Sequence, residues 1–442
     1  MKLPVSPPHW QRVLRSDRLG HVLEQAVGPD VKGHYEHWDH VRHLTPPADL
    51  THEEWWAGIK FARLAIARKL PLRAKDGSPF TVSLTNAIQR KLFLVARDAS
   101  GALRGADRSQ DPAHREQYLM RSLMEEAMTS SQLEGAATTT QAAKEMLRSG
   151  RKPRDYGERM IANNFATMRE LRHWAGEALT PATVFEIHRL LTDGTLRDPD
   201  CAGRFRTRDE NIVVEDETGT LLHMPPDANE LPARMQALCD FANQPDDDAN
   251  FIHPVVRAIL IHFMIGYDHP FVDGNGRTAR ALFYWSMLKS GFWMAEYISI
   301  SSILRKAHGQ YNRAYLYTET DESDTTYFVA QQLEVLLKAI DSVHAWIARK
   351  QQAQREAQAL LSPDSALARH LNHRQRALLL NALKHPGKRF TIAEHQRHHG
   401  VVYQTARSDL LGLVEAGLMR QERQGRAHVF IADSSLHKHI TR

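Results

Sequence analysis

Residues 269–280 read HPFVDGNGRTAR and lie between two segments with helical apolar periodicity. Gly274 and Gly276 permit backbone angles and close approaches that a side chain would forbid. Consecutive N–H groups can therefore converge on an anion at a helix N-terminus. Arg277 and Arg280 lie three residues apart in the first helical turn and add forked donors for phosphate oxygens. The stretch predicts a phosphate-binding turn at the start of a helix.

Two further side chains of this stretch carry chemistry. His269 precedes the glycines, and its side-chain type suits taking a proton from a hydroxyl near neutral pH. Asp273 is a hard carboxylate, suited to one Mg²⁺ that keeps most of its waters and bridges phosphates. A tight helix connection or a buried core histidine explains each residue singly, but the combination indicates a nucleotide-phosphate site. It is neither a Walker loop, since no Gly-Lys-Ser/Thr follows, nor a dinucleotide fingerprint, since no strand precedes it.

The stretch resembles the signature of the Fic (filamentation induced by cAMP) family, His-x-Phe-x-Asp/Glu-Gly-Asn-Gly-Arg-x-x-Arg, at every defined position. The resemblance extends from about residue 120 to residue 317, because FIHPVVRA at 251–258 and GRFR at 203–206 also look like the family. It implies protein adenylylation, in which AMP passes from ATP to a Ser, Thr or Tyr hydroxyl of a target protein with Mg²⁺ present.

Carried over by position, the resemblance implies a role for each residue of the motif. His269 would be the catalytic general base, Phe271 would anchor the turn in the core, and Asp273 would hold Mg²⁺. The residues implied to bind the nucleotide are Gly274, Asn275 and Gly276 as the anion hole, Arg277 and Arg280 at the β- and γ-phosphates, and Tyr311 beside the adenosine.

A β-hairpin is predicted between Gly203 and Pro226, where two short β-prone runs flank a Thr-Gly-Thr turn. The resemblance implies that this hairpin is a flap, which pairs with the target backbone through Asn211, Ile212 and Val213 as an added strand. A plain surface hairpin is the alternative.

A second motif, SSQLEG at 130–135, resembles the family's inhibitory helix, Ser/Thr-x-x-x-Glu-Gly/Asn. Glu134 followed by Gly135 is by itself an ordinary helix end. Together with the intact turn, the resemblance assigns a regulatory role to Ser130, Glu134 and Gly135, in which Glu134 pairs with Arg280. One guanidinium cannot serve a carboxylate and a phosphate in the same fork geometry, so ATP would bind unproductively. The inhibitor is then part of the same chain.

The composition is that of an ordinary globular protein, with 42% hydrophobic and 25% charged residues among 442. This excludes a disordered chain, a fibrous chain and a miniprotein stapled by disulfides. Cys201 and Cys239 are the only cysteines, and we expect free thiols in a reducing compartment. No secretory signal and no run of 18 apolar residues is present, so we expect a cytoplasmic protein without a membrane segment.

Positive charge is concentrated at the C-terminus. Residues 366–442 contain 13 Lys and Arg against five Asp and Glu, whereas the other 365 residues contain 44 against 47. The helices predicted at 373–384, 391–399 and 403–415, followed by a hairpin, resemble a winged helix-turn-helix domain. DNA binding would use Gln404 and Arg407 at base edges and Arg423 and Arg426 at phosphates. Protein docking or dimerisation is an alternative use of nearly equal weight.

Helical apolar periodicity predicts helices from Glu53 to Leu70, from Thr278 to Ser290 and from Ser302 to Tyr317. Thr180 as N-cap and Pro181 in the first turn open a further helix that ends at Gly194, and Thr391 with Glu394 forms a capping box. The first β-prone run of the hairpin is placed at residues 211–214.

The predicted fold is mainly α: a Fic-type helical bundle core with a β-hairpin flap, an N-terminal helical region and a C-terminal winged helix domain. The predicted domains are residues 1–117 as the N-terminal helical region, 118–325 as the catalytic core with the inhibitory helix at about 120–135, 326–365 as a helical connector, and 366–442 as the winged helix.

The main functional prediction is a protein adenylyltransferase that uses ATP and Mg²⁺, acts on a hydroxyl side chain of a protein and is inhibited by Glu134. One alternative is a DNA-binding regulator whose Fic site senses a nucleotide. Another is an enzyme of the same fold that transfers a different nucleotide or removes AMP. A homodimer is compatible with the sequence but is not required by it.

Overall fold

The computed structural model describes residues 2–47, 49–100, 112–247, 250–360, 370–384, 387–424 and 427–432. The chain divides into two compact units, Met1–Val343 and His344–Arg442. Both are built mainly from helices, with small antiparallel sheets. This agrees with the predicted mainly helical fold class. The division of the chain into four domains stays a prediction.

The N-terminal part of the first unit contains a β-hairpin among its helices. Its elements are α1 (Leu19–Glu24), α2 (Trp38–Val41), α3 (His52–Leu64), β1 (Ala67–Arg73), β2 (Pro79–Ser83) and α4 (Asn86–Ser100). The predicted helix up to Leu70 was wrong, because α3 ends at Leu64 and the chain then forms β1. Only alternate residues of β1 are fully buried, Leu70 and Leu72, and this is a strand pattern.

The rest of the first unit is a helical bundle with one small hairpin. Its helices are α5 (Pro112–Leu133), α6 (Thr140–Ser149), α7 (Tyr156–Trp174), α8 (Pro181–Thr192), α9 (Leu231–Ala242), α10 (Pro254–Asp268), α11 (Asn275–Lys289), α12 (Ile300–Lys306) and α13 (His308–Thr320). The long helix α14 (Thr326–Leu360) follows. The hairpin consists of β3 (Val214–Glu215) and β4 (Leu221–His223). Short 3₁₀ turns lie at Trp10–Arg15, Pro199–Cys201, Arg208–Glu210, Ala228–Glu230 and Trp293–Tyr297.

Helices α10 and α11 are the centre of this bundle, and they pack against each other. Almost every residue of both is buried, which explains why α10 is apolar all round. His253 caps α10, since its side chain accepts a hydrogen bond from the backbone N–H of Val255. The turn that follows α10 at its other end therefore joins two buried helices.

Several predicted helix boundaries are correct and others are not. Thr180 caps α8 and Pro181 occupies its first turn, as predicted. The single helix predicted over 302–317 was wrong, because Ala307 leaves helical geometry (φ −134°, ψ 39°) and separates α12 from α13. Helix α11 begins at Asn275, three residues before the predicted start, so the glycine motif itself enters the first turn.

The second unit contains the three helices and the hairpin predicted for the basic tail. Its elements are α15 (His373–Lys384), β5 (Arg389–Phe390), α16 (Ile392–His399), α17 (Tyr403–Glu415), β6 (Met419–Gln424) and β7 (Ala427–Ala432). The sheet order is β5-β7-β6, and strand β5 was not predicted. Thr391 and Glu394 form the predicted capping box. Arg426 lies outside the described residues, and the winged-helix assignment stays a prediction.

Both cysteines are free and buried, which agrees with the prediction of free thiols. Among the residues that the structure describes, none of the helices combines the length and the apolar character needed to cross a membrane. The cytoplasmic location stays a prediction.

Candidate active site

The predicted phosphate-binding turn connects α10 to α11. His269 ends α10 in the left-handed conformation (φ 45°), and Gly274 has φ 82° directly before α11 begins. A Cβ at Gly274 would lie 2.7 Å from a methyl carbon of Thr192, and a Cβ at Gly276 would overlap Oε1 of Glu134. The backbone angle and the Thr192 methyl group exclude a side chain at Gly274, whereas at Gly276 the overlap is with the flexible end of the Glu134 side chain.

His269 is held in the form that can accept a proton. Its Nδ1 lies 3.2 Å from the carbonyl oxygen of Gly266. A carbonyl can only accept, so Nδ1 carries the hydrogen and Nε2 keeps its lone pair. Burial lowers the pKa of His269 to about 4, although the hydrogen bond to Gly266 opposes the shift. The imidazole is thus neutral at physiological pH, as a general base must be.

Two side chains hold the turn in shape. Phe271 is completely buried and stacks on His188, with 3.8 Å between the ring centroids. The side chain of Asn275 bonds the backbone of Phe271 twice: its Oδ1 accepts from the N–H at 2.9 Å and its Nδ2 donates to the carbonyl at 2.8 Å. The Asn275 side chain therefore fixes the loop, and only its backbone N–H remains for an anion.

The first turn of α11 and Arg277 provide donors that lack acceptors. As at any helix start, the N–H groups of Asn275, Gly276 and Arg277 have no partner within the helix. The Arg277 side chain is fully buried and donates from Nη1 to the carbonyl of Leu191 at 2.9 Å. Its Nε and Nη2 make no hydrogen bond within the described part of the chain. Buried guanidinium donors without acceptors are costly, and a phosphate would satisfy them.

Asp273 lies at the rim of the turn, and its side chain is 46% exposed. Its Oδ1 accepts from the N–H of Gly274 at 2.5 Å, and its Oδ2 lies 3.7 Å from Nη2 of Arg277. Such an exposed carboxylate fits Mg²⁺, which binds through one or two carboxylates together with waters and phosphates. In the described ranges, no group of three His, Cys, Asp or Glu side chains forms an all-protein metal site.

Ser130, on the last turn of α5, and Glu134, directly after the helix, hold Arg280. The Arg280 guanidinium is buried and donates from Nε to Oγ of Ser130 at 2.8 Å and from Nη2 to Oε1 of Glu134 at 3.0 Å. Burial disfavours the charged carboxylate, but the positive charges of Arg280 and Arg277 outweigh it and hold the pKa of Glu134 below its usual value. Glu134 is therefore ionised and lies over Gly276, where the α11 N–H groups converge.

Gly135 ends the helix behind Glu134 with φ 91°. This left-handed angle favours glycine and turns the chain away immediately after the glutamate. The backbone N–H groups of Glu134 and Ala136 both donate to the carbonyl of Ser131, at 3.1 and 3.0 Å. The carboxylate of Glu134 therefore projects from a firmly hydrogen-bonded helix end.

A buried carboxylate that was not predicted from the sequence holds helix α5 in place. Glu126, two turns before Glu134, is buried and accepts hydrogen bonds from the hydroxyls of Ser299 (2.8 Å) and Ser301 (2.5 Å). It also accepts from the backbone N–H of Ser301 at 3.1 Å, at the start of α12. These bonds fix the height and rotation of α5 and hence the position of Glu134.

A cleft of about 180 Å³ brings five of the fourteen predicted site residues together. The predicted site residues that line it are His269, Gly276, Arg280, Glu134 and Tyr311. Tyr311 is further fixed by its hydroxyl, 2.9 Å from Nε2 of the buried His262. The hairpin contributes Val214 and Leu222, and α13 contributes further residues that include Asn312 and Glu319.

The predicted flap residues Asn211, Ile212 and Val213 precede strand β3 in the chain and are not part of it. Asn211 has φ 46° and ends the 3₁₀ turn Arg208–Glu210, so the chain enters the β-ladder only at Val214. The first β-prone run was therefore placed three residues too early. Asn211 is in the left-handed conformation, and Ile212 and Val213 have no regular secondary structure and no ladder partner among the described residues.

Two positioning residues were missed, although both lie in stretches that the sequence analysis considered. His188 on α8 donates from Nε2 to the carbonyl of Asp273 at 2.8 Å and accepts at Nδ1 from the N–H of Gly203 at 2.9 Å. Burial lowers its pKa to about 4, so it is neutral with one fixed tautomer. A histidine on the apolar face of α8 was the available signal.

Arg206 is the second of these residues and belongs to the GRFR entry of the hairpin. Its Nε donates to the carbonyl of His269 at 2.8 Å, and its backbone N–H donates to the carbonyl of Pro270 at 2.8 Å. Its Nη2 donates to the carbonyl of Pro226 at 2.6 Å. Arg206 therefore joins both ends of the hairpin to the backbone of His269 and Pro270.

Comparison with known proteins places this geometry in a family. Residues 178–287 match the model of the Fic/DOC family, a range that contains α8, the hairpin and the 269–280 turn. A protein adenylyltransferase Fic from Nematostella vectensis is 35% identical over 116 residues, which are 26% of this chain and 24% of that protein. The protein of the same name from Drosophila mojavensis is 33% identical over 114 residues, 26% of this chain and 20% of that protein.

The chain thus spans about a quarter or less of the length of these curated relatives. Among solved structures, a Fic family protein from Desulfovibrio desulfuricans G20 has a TM-score of 0.48 at 20% identity, covering 78% of this chain and 96% of that one. Fic-1 from C. elegans has a TM-score of 0.46 at 20% identity, covering 60% and 73%. Residues 178–287 of this chain, with the complete 269–280 turn, form a Fic domain of the Fic/DOC family.

Proposed function

We propose that the protein is a protein adenylyltransferase that transfers AMP from ATP to a hydroxyl side chain of a target protein. One observation carries this proposal. A neutral His269 with a free Nε2, the N-terminus of α11 and Arg280 line the same cleft within a Fic domain. A base for a hydroxyl and a cradle for phosphates, side by side, are the groups that nucleotidyl transfer requires.

In the proposed reaction, Nε2 of His269 takes the proton from the target hydroxyl while its oxygen forms a bond to the α-phosphorus of ATP. The bond from that phosphorus to the oxygen bridging to the β-phosphate breaks, and pyrophosphate leaves. The N–H groups at the start of α11 stabilise the charge that develops on the phosphate oxygens. Arg277 provides buried donors for the outer phosphates, since its Nε and Nη2 have no acceptor among the described residues.

Asp273 would hold Mg²⁺ at the rim of the turn. When bound, the ion neutralises phosphate charge. The protein's own contribution there is orientation. His188 fixes the Asp273 backbone through its carbonyl, and Gly274 fixes one carboxylate oxygen through its N–H.

We further propose that Glu134 keeps the enzyme inactive. Its carboxylate lies over Gly276 and takes a hydrogen bond from Arg280 that a γ-phosphate would otherwise accept. A second anion next to this carboxylate would also be repelled. Because Glu126 fastens α5, relief of inhibition requires a change at the Glu134 end of the helix rather than departure of the whole helix.

The proposed target-docking element is the hairpin, preceded by Asn211, Ile212 and Val213. Ile212 and Val213 lead directly into β3 and have no ladder partner among the described residues, which supports pairing of this edge with an extended target segment. Val214 then begins the strand and lines the cleft, so a paired segment would lie next to His269.

The test compares the Glu134→Gly protein with the Glu134→Gly/His269→Ala protein in a host lysate with ATP labelled at the α-phosphate. We expect protein labelling by the first and a loss of at least about a hundredfold in the second, since general-base catalysis contributes about 10²–10⁴-fold. Equal labelling by both would overturn the proposal. Parallel reactions with other labelled nucleotides, and with pre-labelled target, would reveal transfer of another group or removal of AMP.

A second function is proposed for the tail, where Gln404 and Arg407 are exposed on α17. Val402 and Tyr403 at the start of this helix are also exposed, at 68% and 52%. Exposed polar and aromatic side chains at the start of a helix, in a segment with a net charge of +8, support insertion into a DNA groove. The second unit would then recognise DNA independently of catalysis.

A mobility-shift titration with duplex DNA at several salt concentrations tests this second proposal. We expect binding that weakens steeply with salt and is reduced by Arg407→Ala, while Arg305→Ala in the first unit serves as the control. No shift at low salt would leave protein docking as the function of the tail.

A further inference from the structure

His223, at the end of β4, contacts two other elements at once. Its Nε2 lies 2.7 Å from the carbonyl oxygen of Tyr267 on α10, two residues before the general base. Its Nδ1 lies 2.7 Å from Oε1 of Glu319 on α13. The His223 side chain is 7% exposed and that of Glu319 is 18% exposed, so the contact is largely removed from water.

The contact between His223 and Glu319 requires a shared proton. Nε2 must donate to the Tyr267 carbonyl, because a carbonyl can only accept. A neutral ring would then turn the lone pair of Nδ1 towards a carboxylate oxygen 2.7 Å away, which is repulsive. Neither Nδ1 nor Oε1 has a well-aligned hydrogen-bond partner among the described residues. A proton on the imidazole or on the carboxyl group removes the repulsion in either case.

The charged groups around this pair are already committed to other partners. Asp268 is paired with Arg234 at 2.8 Å, and Arg206 donates to the backbone of His269. His269 itself is neutral and bonded to Gly266. Glu319 is therefore the acidic partner that faces the His223 ring, and the two groups depend on each other.

We propose that His223 and Glu319 form a flap latch, a positioning pair that fixes β4 against α13 and against the α10 backbone next to His269. Leu222, directly before His223, and Val214, opposite it in the β-ladder, both line the cleft. The latch therefore sets the distance between the hairpin and the general base. Its consequence for target transfer rests on the proposed function, but the latch itself does not.

A purely stabilising role does not explain this choice of residues. Burying an ion pair or a proton-sharing pair gains little stability compared with packed apolar side chains, whereas removing one partner leaves the other unsatisfied. Such a pair instead defines one relative position of the elements that carry it. The hairpin has only two very short strands, so its own ladder cannot supply that definition.

Amide hydrogen exchange of the full chain, measured without nucleotide or target, tests the latch. In the Glu319→Ala variant we expect exchange of the amides of residues 214–223 to rise about tenfold or more, the effect of losing one hydrogen bond to a charged group. The Glu319→Gln variant should stay close to the wild type, because a glutamine amide can donate to Nδ1 or accept from it. Arg208→Ala, which breaks an exposed ion pair with Asp227 at the base of the hairpin, is the matched control.

The double variant His223→Ala/Glu319→Ala should exchange no faster than the faster of the two single variants, because either change opens the same latch. Each of three results would overturn the proposal. The rate increases of the two single variants could multiply in the double variant, exchange could be unchanged in Glu319→Ala, or exchange in Glu319→Gln could be as fast as in Glu319→Ala. If Glu319→Ala fails to fold, exchange of residues 214–223 about tenfold faster in Glu319→Gln than in the wild type would still overturn the proposal.

In the Glu134→Gly background, labelling at limiting target should fall in Glu319→Ala and recover in Glu319→Gln. Absence of all labelling would overturn the proposed function but not the latch, which the exchange data test separately.

Discussion

Removal of the Glu134 carboxylate should activate the enzyme. Oε1 of Glu134 and Nη2 of Arg280 are 3.0 Å apart. At an effective dielectric constant of about 20, opposite unit charges at this distance attract by about 5.5 kcal/mol. Partial exposure of Glu134 and the hydrogen bonds that Arg280 keeps with Ser130 reduce the part that ATP must overcome. A hydrogen bond between charged groups contributes about 1.5–3 kcal/mol, which corresponds to about 10- to 150-fold in rate.

The assay is the initial rate of AMP incorporation from α-labelled ATP at equal protein concentration. Glu134→Gly should exceed the wild type by about 10- to 150-fold. Glu134→Gln keeps the shape and an acceptor oxygen but loses the charge, so it should give an intermediate rise of about 3- to 10-fold. Glu125→Gln is the matched control: Glu125 neighbours Glu126 on the same helix and forms an exposed pair with Arg121 at 3.8 Å, and its substitution should leave the rate unchanged.

Equal rates for the wild type and Glu134→Gly would refute the inhibitory role of Glu134. A rise in Glu125→Gln as large as in Glu134→Gly would also refute it, because activation would then follow from weakening α5 in general rather than from freeing Arg280.

Three further predictions concern the turn and its supports. The pH profile of kcat/KM for Glu134→Gly should have its acidic limb near pH 4 or below, because burial lowers the pKa of His269 to about 4. Removing the nearby Glu134 carboxylate disfavours the imidazolium further. An acidic limb at pH 6–7 would contradict this prediction. Gly276→Ala in the same background should reduce incorporation by about tenfold or more, because a methyl group would occupy the phosphate cradle, and an unchanged rate would contradict the placement of the phosphates. His188→Phe keeps the stacking on Phe271 but removes the hydrogen-bond partner of the Asp273 carbonyl and of the Gly203 N–H. Chemical denaturation should therefore show a free energy of unfolding lower by about 2–4 kcal/mol. The control His173→Gln, at an exposed position, should leave it almost unchanged.

The buried neutral histidines also make stability depend on pH. Burial lowers the pKa values of His188 and His269 to about 4, while the unfolded chain binds protons near pH 6.5. The unfolded state therefore holds more protons between about pH 6.5 and pH 4. Stability should fall as the pH decreases through that window, and it is fully present above it.

The turn at residues 269–280 could be predicted from sequence because its residues are close together in the chain. Residues 269–280 combine a histidine, an aspartate, two glycines and two arginines in one helix start, and local geometry alone brings their N–H groups together. Pairing of Glu134 with Arg280 required knowledge of a family pattern, because 146 residues separate them.

The supporting residues could not be predicted, since their partners are backbone atoms far away in sequence. His188 bonds the carbonyl of Asp273, 85 positions later, and Arg206 bonds that of His269, 63 positions later. A carbonyl oxygen has no sequence signature, so only the fold reveals such contacts. Strand β1 was missed for a different reason: Leu70, one of its two buried leucines, follows an amphipathic helix and was predicted to end that helix.

The most direct test of the central claim measures which phosphate of ATP is transferred to protein. The Glu134→Gly protein is incubated with host lysate and ATP labelled at either the α- or the γ-phosphate, and modified proteins are identified by mass spectrometry. We predict that label from the α-position alone enters protein, that the added mass is one AMP on a Ser, Thr or Tyr side chain, and that His269→Ala removes it. Transfer of the γ-label, or no α-label on any protein while the Glu134→Gly protein remains folded and binds ATP, would contradict the assignment of this chain as an adenylyltransferase.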